Sequence, residues 1–182
     1  MPIILPKNVP ELAPFIKAPM FFLAGPILGG GDWHVPMTQL LRSRFGDPVI
    51  ANPSHYPETH PHRKEALPGS KGSFRYALEW ERHFLAQAAG EAWPSGCIIF
   101  WLARESATAP RQDGAPYAMD TRGELGEWRG RLIGNRKVRL VIGAENGFPG
   151  LSIIKHNFEA VVPGFKIAST MEETLELAAR YT

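Results

Sequence analysis

The segment CIIFWL, at residues 97–102, is an unbroken apolar run inside a chain of ordinary polarity. A strand with one wet face alternates apolar and polar residues, whereas a strand buried on both faces, as in a parallel sheet, is continuously apolar. Similar short runs occupy residues 20–24 (MFFLA), 48–51 (PVIA), 138–143 (VRLVIG) and 165–168. We therefore predict a parallel sheet of five strands.

Segments with helical spacing lie between these runs. The clearest covers residues 73–89, where apolar side chains recur at intervals of three and four. Further helices are predicted at residues 34–45, 122–132, 151–158 and 170–180. Strands that alternate with helices indicate an α/β three-layer sandwich, and right-handed crossovers make a flavodoxin-like strand order the natural one.

The chain has 182 residues, which suits one domain with a full core. We assign that domain to residues 20–182 and predict that the proline-rich residues 1–19 form an irregular arm. The net charge of +2 is small and the basic residues are scattered, which disfavours a nucleic-acid partner. No apolar stretch is long enough to cross a membrane, no signal peptide is recognisable, and a single cysteine indicates a reducing compartment. A cytoplasmic location is therefore expected.

The long, irregular loops of the chain all follow predicted strands. They cover residues 25–33, 52–72, 103–121 and 144–150, while the opposite connections are shorter. Ligands of open parallel sheets bind beyond the carboxyl ends of the strands. This asymmetry places the expected site at that edge before any motif is considered.

Several groups in these loops are weaker candidates for chemistry. The loop Gly29–Gly31 matches neither the Walker pattern nor G-x-G-x-x-G, so a flexible loop is favoured over a phosphate cradle. His55, His60 and His62 do not have a metal-site spacing, and a solvated loop is the better interpretation. Cys97 lies within an apolar strand, where a thiol is usually a small buried hydrophobe.

Glu124 admits two interpretations. Thr121-Arg-Gly-Glu124 has the form of a helix capping box, with Thr121 as N-cap. However, Gly123 in a first turn costs about 0.5–1 kcal/mol relative to alanine, which makes sense if a ligand approaches the backbone there. A carboxylate at this helix N-terminus would face the ligand edge and would be held ionised by the helix dipole, as a nucleophile requires. Asp120 lies one turn earlier.

Six segments, taken together, resemble the nucleoside 2-deoxyribosyltransferase-like family in their order and spacing, over roughly residues 20–150. They are FFLAGPI (21–27), IANP (50–53), YALEWERHFL (76–85), IIFWL (98–102), GELGEW (123–128) and VIGAENGF (141–148). The Ala-Gly-Pro turn and the Glu-Leu-Gly tripeptide are the most specific parts.

The resemblance implies a flavodoxin-like fold and an enzyme that cleaves the N-glycosidic bond of 2′-deoxynucleosides. Glu124 would be the nucleophile of a retaining transfer of deoxyribose between bases, and Asp120 would assist at the base. A small-molecule nucleoside or nucleotide is the implied partner, no metal or organic cofactor is implied, and a homo-oligomer is expected. The implied substrate-binding positions are Gly25, Pro26, Ile27, Asn52 and Trp101.

One departure from the family leaves the activity open. Members carry an Ala-Asp pair before the third strand, whereas this chain has Glu91-Ala-Trp-Pro-Ser-Gly96, so Glu91 would have to substitute or base recognition differs. A nucleoside or nucleotide hydrolase is therefore an alternative, with a phosphate subsite at Gly29–Gly31 or Arg122. A non-catalytic nucleoside-binding domain, in which Glu124 is only a cap, is another.

Overall fold

The computed structural model describes residues 2–69 and 74–182, and it is an α/β three-layer sandwich built on a parallel sheet. The strands are β1 (Ile3–Ile4), β2 (Met20–Ala24), β3 (Val49–Ala51), β4 (Gly96–Leu102), β5 (Leu140–Ala144) and β6 (Ile167–Ala168). The helices are α1 (His34–Phe45), α2 (Pro61–Glu65), α3 (Ala77–Ala88), α4 (Met119–Gly134), α5 (Leu151–Glu159) and α6 (Met171–Ala178).

The sheet has the order β1-β3-β2-β4-β5-β6, and every pair is parallel. The five predicted strands are all present and follow the flavodoxin-like order. The sixth is β1, which pairs with β3 through Ile3 and Ile4. The prediction of five strands and of an irregular arm was therefore wrong at the N-terminus. The arm supplies an edge strand because its Ile-Ile-Leu run is buried against the sheet.

Side chains of the strands divide between two cores, as the period of two requires. Phe22, Ile98 and Phe100 belong to the core under α3, α4 and α5. Phe21, Ile99 and Trp101 belong to the core under α1 and α6. Because CIIFWL is covered on both faces, all of β4 is buried. This central strand positions the turn of β2 on one side and the loop before α4 on the other.

The helix that carries Glu124 begins earlier than the sequence predicted. Ala118 adopts a left-handed conformation (φ 55°), and α4 starts at Met119 rather than Arg122. Thr121 is consequently inside the first turn and buried, and the predicted capping box with Glu124 is not formed. Glu124 lies in the second turn of α4, where capping no longer explains it.

The predicted start of α3 at residue 73 lies outside the described residues, and the helix is seen from Ala77. Part of the long loop after β3 also folds, into the short helix α2. Across residues 2–69 and 74–182, no helix combines the length and apolarity that a membrane crossing would need.

Candidate active site

A cavity of about 600 Å³ opens at the carboxyl edge of the sheet, where the loop lengths predicted a site. Its apolar wall comes from Phe22 and Ala24 of β2 and Leu85 of α3. The turn after β2 and the first turns of α4 complete it. This volume falls within the range of about 300–1,000 Å³ typical of small-molecule sites.

The turn after β2 depends on Gly25. Its φ is +154°, and a Cβ there would lie 2.3 Å from the carbonyl oxygen of Trp101 and 2.8 Å from Cζ2 of Trp33. Only glycine permits this close approach of β2 to β4. Gly25, Pro26 and Ile27 consequently line the cavity, as the resemblance implied.

The cavity side of α4 is acidic. Asp120, Glu124 and Glu127 line the cavity at helical spacings of four and three, and Gly123 lies among them. A Cβ added to Gly123 would meet nothing within 4 Å, so the glycine leaves space next to Glu124. The two predicted catalytic residues, Glu124 and Asp120, are thus brought to the same cavity.

Glu81 of α3 faces this acidic side across the cavity. Leu78, Arg82 and Leu85 line the cavity with it, which is the spacing of one helix face. Glu79, two residues earlier, instead accepts hydrogen bonds from the backbone N–H groups of Arg75 (3.1 Å) and Tyr76 (3.3 Å). Sequence reasoning established that only one of the two glutamates can face a pocket, but it did not select Glu81.

Burial and like charges control the protonation of Glu124. Burial, together with the charges of Glu81, Asp120 and Glu127, raises the pKa of Glu124 to about 8. Burial and the charge of Asp120 also raise the pKa of Glu81. The expectation that the helix dipole keeps Glu124 ionised was therefore wrong, because Glu124 lies beyond the first turn and desolvation prevails.

Arg111 connects Asp120 to the loop before α4. Its guanidinium lies 2.6 Å from Oδ1 of Asp113 and 3.5 Å from Oδ2 of Asp120. The loop itself is anchored by a hydrogen bond of 2.6 Å that the Tyr117 hydroxyl donates to the carbonyl of Ala103. Arg111 therefore places a positive charge next to Asp120 in the lining of the cavity.

Exposed apolar side chains surround the mouth of the cavity. Ile27, Leu28, Leu78 and Met119 all line it, yet they are 37%, 56%, 52% and 48% exposed. Side chains of this kind are normally covered in part by a ligand or by another surface. The mouth is thus suited to a flat, apolar group rather than to a hydrated one.

The structure does not place Trp101 or Asn52 at this cavity. Trp101 is 3% exposed and lies in the core under α1 and α6, because alternation along β4 turns it to the other layer. Asn52 is fully buried and shapes the loop after β3, where its Oδ1 accepts from the backbone N–H of Ser54 at 3.0 Å. Neither of these two predicted substrate-binding residues lines the cavity, whereas Pro53 does.

The histidine-rich loop is solvated at His55 and at residues 57–59, but it is packed at His60 and His62. His62 is 3% exposed, with its Nδ1 lying 3.3 Å from Nδ2 of Asn52. His60 stacks on the ring of Tyr56 (centroids 3.8 Å apart) and lies 3.1 Å from Asp32. Of the three predicted histidines, only His55 lines the cavity.

Other candidates from the sequence lie elsewhere. Burial raises the pKa of the Cys97 thiol, which is fully buried in the core. Glu91 pairs with Arg131 at 2.9 Å and is not among the residues that line the cavity. Arg122 points away from the cavity and donates to the carbonyl of Pro149 at 3.1 Å. The cavity lining includes Leu28 but not Gly29–Gly31, where the sequence favoured a flexible loop over a phosphate cradle.

In the part of the chain that the structure describes, no group of three or more His, Cys, Asp or Glu side chains is placed to hold a metal ion. A comparison with protein-family models finds no match to the sequence. A comparison with curated proteins finds none either. The cavity and its carboxyl groups are therefore the features of this chain that bear on its function.

Proposed function

We propose that this protein cleaves the N-glycosidic bond of 2′-deoxynucleosides and transfers the sugar to a second base through a covalent ester on Glu124. The observation that carries the proposal is a half-buried carboxyl, Glu124 of α4, in a cavity that a second carboxyl, Glu81 of α3, also lines. The motif resemblance supports the same assignment. Paired carboxyls are what a retaining glycosyl transfer uses.

Glu124 would supply the nucleophile. Its carboxylate attacks the anomeric carbon, the bond from that carbon to the base nitrogen breaks, and the electron pair leaves with the base. Because its pKa is raised, the Glu124 carboxyl retains a proton near neutral pH before substrate binds. Attack therefore requires that this proton moves to Glu81 or to the base when substrate binds, so the carboxyls act as a coupled pair.

Glu81 would donate the proton to the departing base. A carboxyl with a raised pKa suits this role, since it remains protonated at higher pH than an ordinary glutamate. The incoming base, or water, then attacks the same carbon, the bond from that carbon to the Glu124 oxygen breaks, and Glu81 takes the proton that the incoming group loses. Asp120, which Arg111 orients at 3.5 Å, would hold the base at the rim.

The exposed apolar side chains at the mouth of the cavity support two further parts of the proposal, namely how the base is bound and whether the chain forms an oligomer. Ile27, Leu28 and Met119 offer apolar surface on which a nucleobase can stack. The remaining exposed surface suits coverage by a neighbouring subunit, so we expect a homo-oligomer in solution. Sedimentation velocity on the purified chain would test that expectation, and a monomer at all concentrations would contradict it.

A nucleotide hydrolase is the second candidate, and one observation favours it. Arg82 lines the cavity, and no described residue forms a hydrogen bond or ion pair with it. A free cation there would suit a phosphorylated sugar. The two candidates differ in whether the acceptor is a base or water and in whether the substrate carries phosphate.

The test is chromatography of the purified protein with thymidine, deoxyadenosine or deoxyuridine monophosphate, with and without a second free base. Base exchange supports the transferase, and base release without exchange supports the hydrolase. Glu124→Gln should reduce either activity by about 10³-fold or more, because an amide is not a nucleophile here. Glu79→Gln is the control, because Glu79 binds the backbone at the start of α3 and does not line the cavity. Turnover that survives Glu124→Gln would contradict the proposal and favour a non-catalytic binding domain.

A further inference from the structure

A second concave site lies on the far side of α4, between α4 and α5. We refer to it as the α4–α5 groove, with a volume of about 380 Å³. Its apolar surface comes from Leu125 of α4 and from Ile154 and Phe158 of α5. Nothing in the proposed reaction uses this groove, since the acidic side of α4 faces the other way.

The charged side chains that line the groove are all positive. Arg122 and Arg129, two turns apart on α4, line it, and none of the described residues that line it is acidic. Arg122 is already engaged, because it donates to the carbonyl of Pro149 and lies 5.7 Å from the ring centroid of Phe148. An anion in the groove would face two positive charges without a competing carboxylate.

Arg129 is the distinctive feature of the groove. Its Nε is buried and has no hydrogen-bond partner, and no residue in the described ranges forms an ion pair with its guanidinium. A buried N–H on a charged group without an acceptor is unfavourable, and proteins rarely retain one. A carboxylate bound in the groove would instead pair with the terminal Nη groups of this guanidinium, for which no described residue supplies an acceptor.

The apolar part of the groove has room for more than a small ion. Ile153 is 65% exposed at its edge. A Cβ added to Gly126 or Gly150 would meet nothing within 4 Å, so both glycines leave open space at the groove wall. A ligand with an apolar body next to its charge would cover Ile153 and fill that space.

We propose that the α4–α5 groove binds small organic carboxylates with an apolar body, with the carboxylate on Arg129 and the body against Ile153 and Phe158. A volume of about 380 Å³ lies at the lower end of the range for small-molecule sites, which suits a ligand the size of one ring. The site is separate from the cavity of Glu124 and does not depend on the function proposed for it.

The experiment is a titration of the ¹⁵N-labelled full chain followed by amide chemical shifts. Phenylacetate is the probe, phenylacetamide lacks the charge, and acetate lacks the apolar body. We expect saturable shifts in residues 122–129 and 150–158 with phenylacetate. The amide and acetate should each bind at least about tenfold more weakly, because each lacks one of the two contacts.

Two variants and one control localise the binding. Arg129→Gln and Ile153→Ser should each weaken phenylacetate binding by about tenfold, through loss of the charged donor and of the apolar contact. Lys155→Gln removes the same charge from a solvent-facing position on α5 and should leave binding unchanged. Equal binding of phenylacetate and its amide, or no saturable shift in the millimolar range, would overturn the proposal. An oligomer that Ile153→Ser dissociates, without carboxylate binding, would overturn it in favour of a second copy of this chain.

Discussion

Helix α4 separates two sites of opposite charge. Asp120, Glu124 and Glu127 turn three carboxyls toward the cavity, whereas Arg122 and Arg129 turn two guanidinium groups toward the α4–α5 groove. Both sets are spaced at intervals that keep them on one helix face. The charges along α4 therefore nearly cancel in total, although each of these two faces carries charges of a single sign.

The two faces differ in how their charges are compensated. On the acidic face, like charges lie near one another and burial adds to their repulsion, so the pKa of Glu124 rises to about 8 and the group retains a proton. On the basic face, an arginine cannot discard its proton, and no described residue forms an ion pair with the guanidinium of Arg129. This difference between the two faces favours the proton transfer proposed for the cavity and the anion binding proposed for the groove.

The largest expected effect is on turnover, and it concerns the carboxyls that line the cavity. Glu81→Gln should lower kcat for base release by about 10²–10⁴-fold, since glutamine cannot donate the proton that the leaving base needs. Glu79→Gln is the matched control on the same helix. Its side chain binds the backbone at the start of α3 and does not line the cavity, so kcat should not change. An unchanged rate for Glu81→Gln would mean that the proton comes from elsewhere.

A smaller effect concerns the pH dependence of stability. The pKa of Glu124 is raised in the folded protein, so its contribution to the free energy of unfolding is most favourable at acid pH and is lost as pH rises from about 4.5 to about 8. The glutamine of Glu124→Gln does not ionise, so the variant does not lose this stability as pH rises. Relative to the wild type, the variant should therefore gain about 1–2 kcal/mol between pH 5 and pH 9, an estimate reduced for partial solvation.

The measurement is urea unfolding of both proteins at several pH values. A difference between the two proteins that stays constant with pH would show that Glu124 is ionised throughout. Titration of the Glu124 side-chain carbon by NMR in the wild type provides an independent value for its pKa.

The smallest effect compares two glycines, one on each face of α4. A Cβ at Gly123 or at Gly126 meets nothing within 4 Å, so Gly123→Ala and Gly126→Ala should each raise the free energy of unfolding by about 0.5–1 kcal/mol. Only Gly123→Ala intrudes on the cavity and should raise KM for the nucleoside. Gly126→Ala should leave turnover unchanged, and equal effects of both variants on KM would contradict the assignment of the two faces.

Predictions from periodicity succeeded where the apolar pattern was long enough. The run at residues 97–102 is all of β4 except its first residue, and residues 34–45 are the helix α1. The strand β1 was missed because Ile3–Ile4 is too short for a recognisable pattern and lies among prolines. The start of α4 was misplaced because Ala118 takes a left-handed conformation that its residue type does not indicate.

The site was predicted in outline and missed in detail. Glu124, Asp120 and the Gly25 turn were identified, since they lie in the motifs that carry the resemblance. Glu81 was not selected because a helix start at residue 77, with Glu79 at its cap, decides which glutamate faces inward. Trp101 was assigned to the site although its register along β4 directs it to the opposite core.

The sequence by itself determined the alternation of strands and helices, the edge where the long loops collect, and the spacing that separates the two faces of α4. These features follow from local periods of two and 3.6 residues, which can be read along the chain. The tertiary structure alone decided that Glu124 retains its proton and that Arg129 has a buried donor without a partner. Both depend on burial and on charges that distant segments, such as α3 and α5, bring within range.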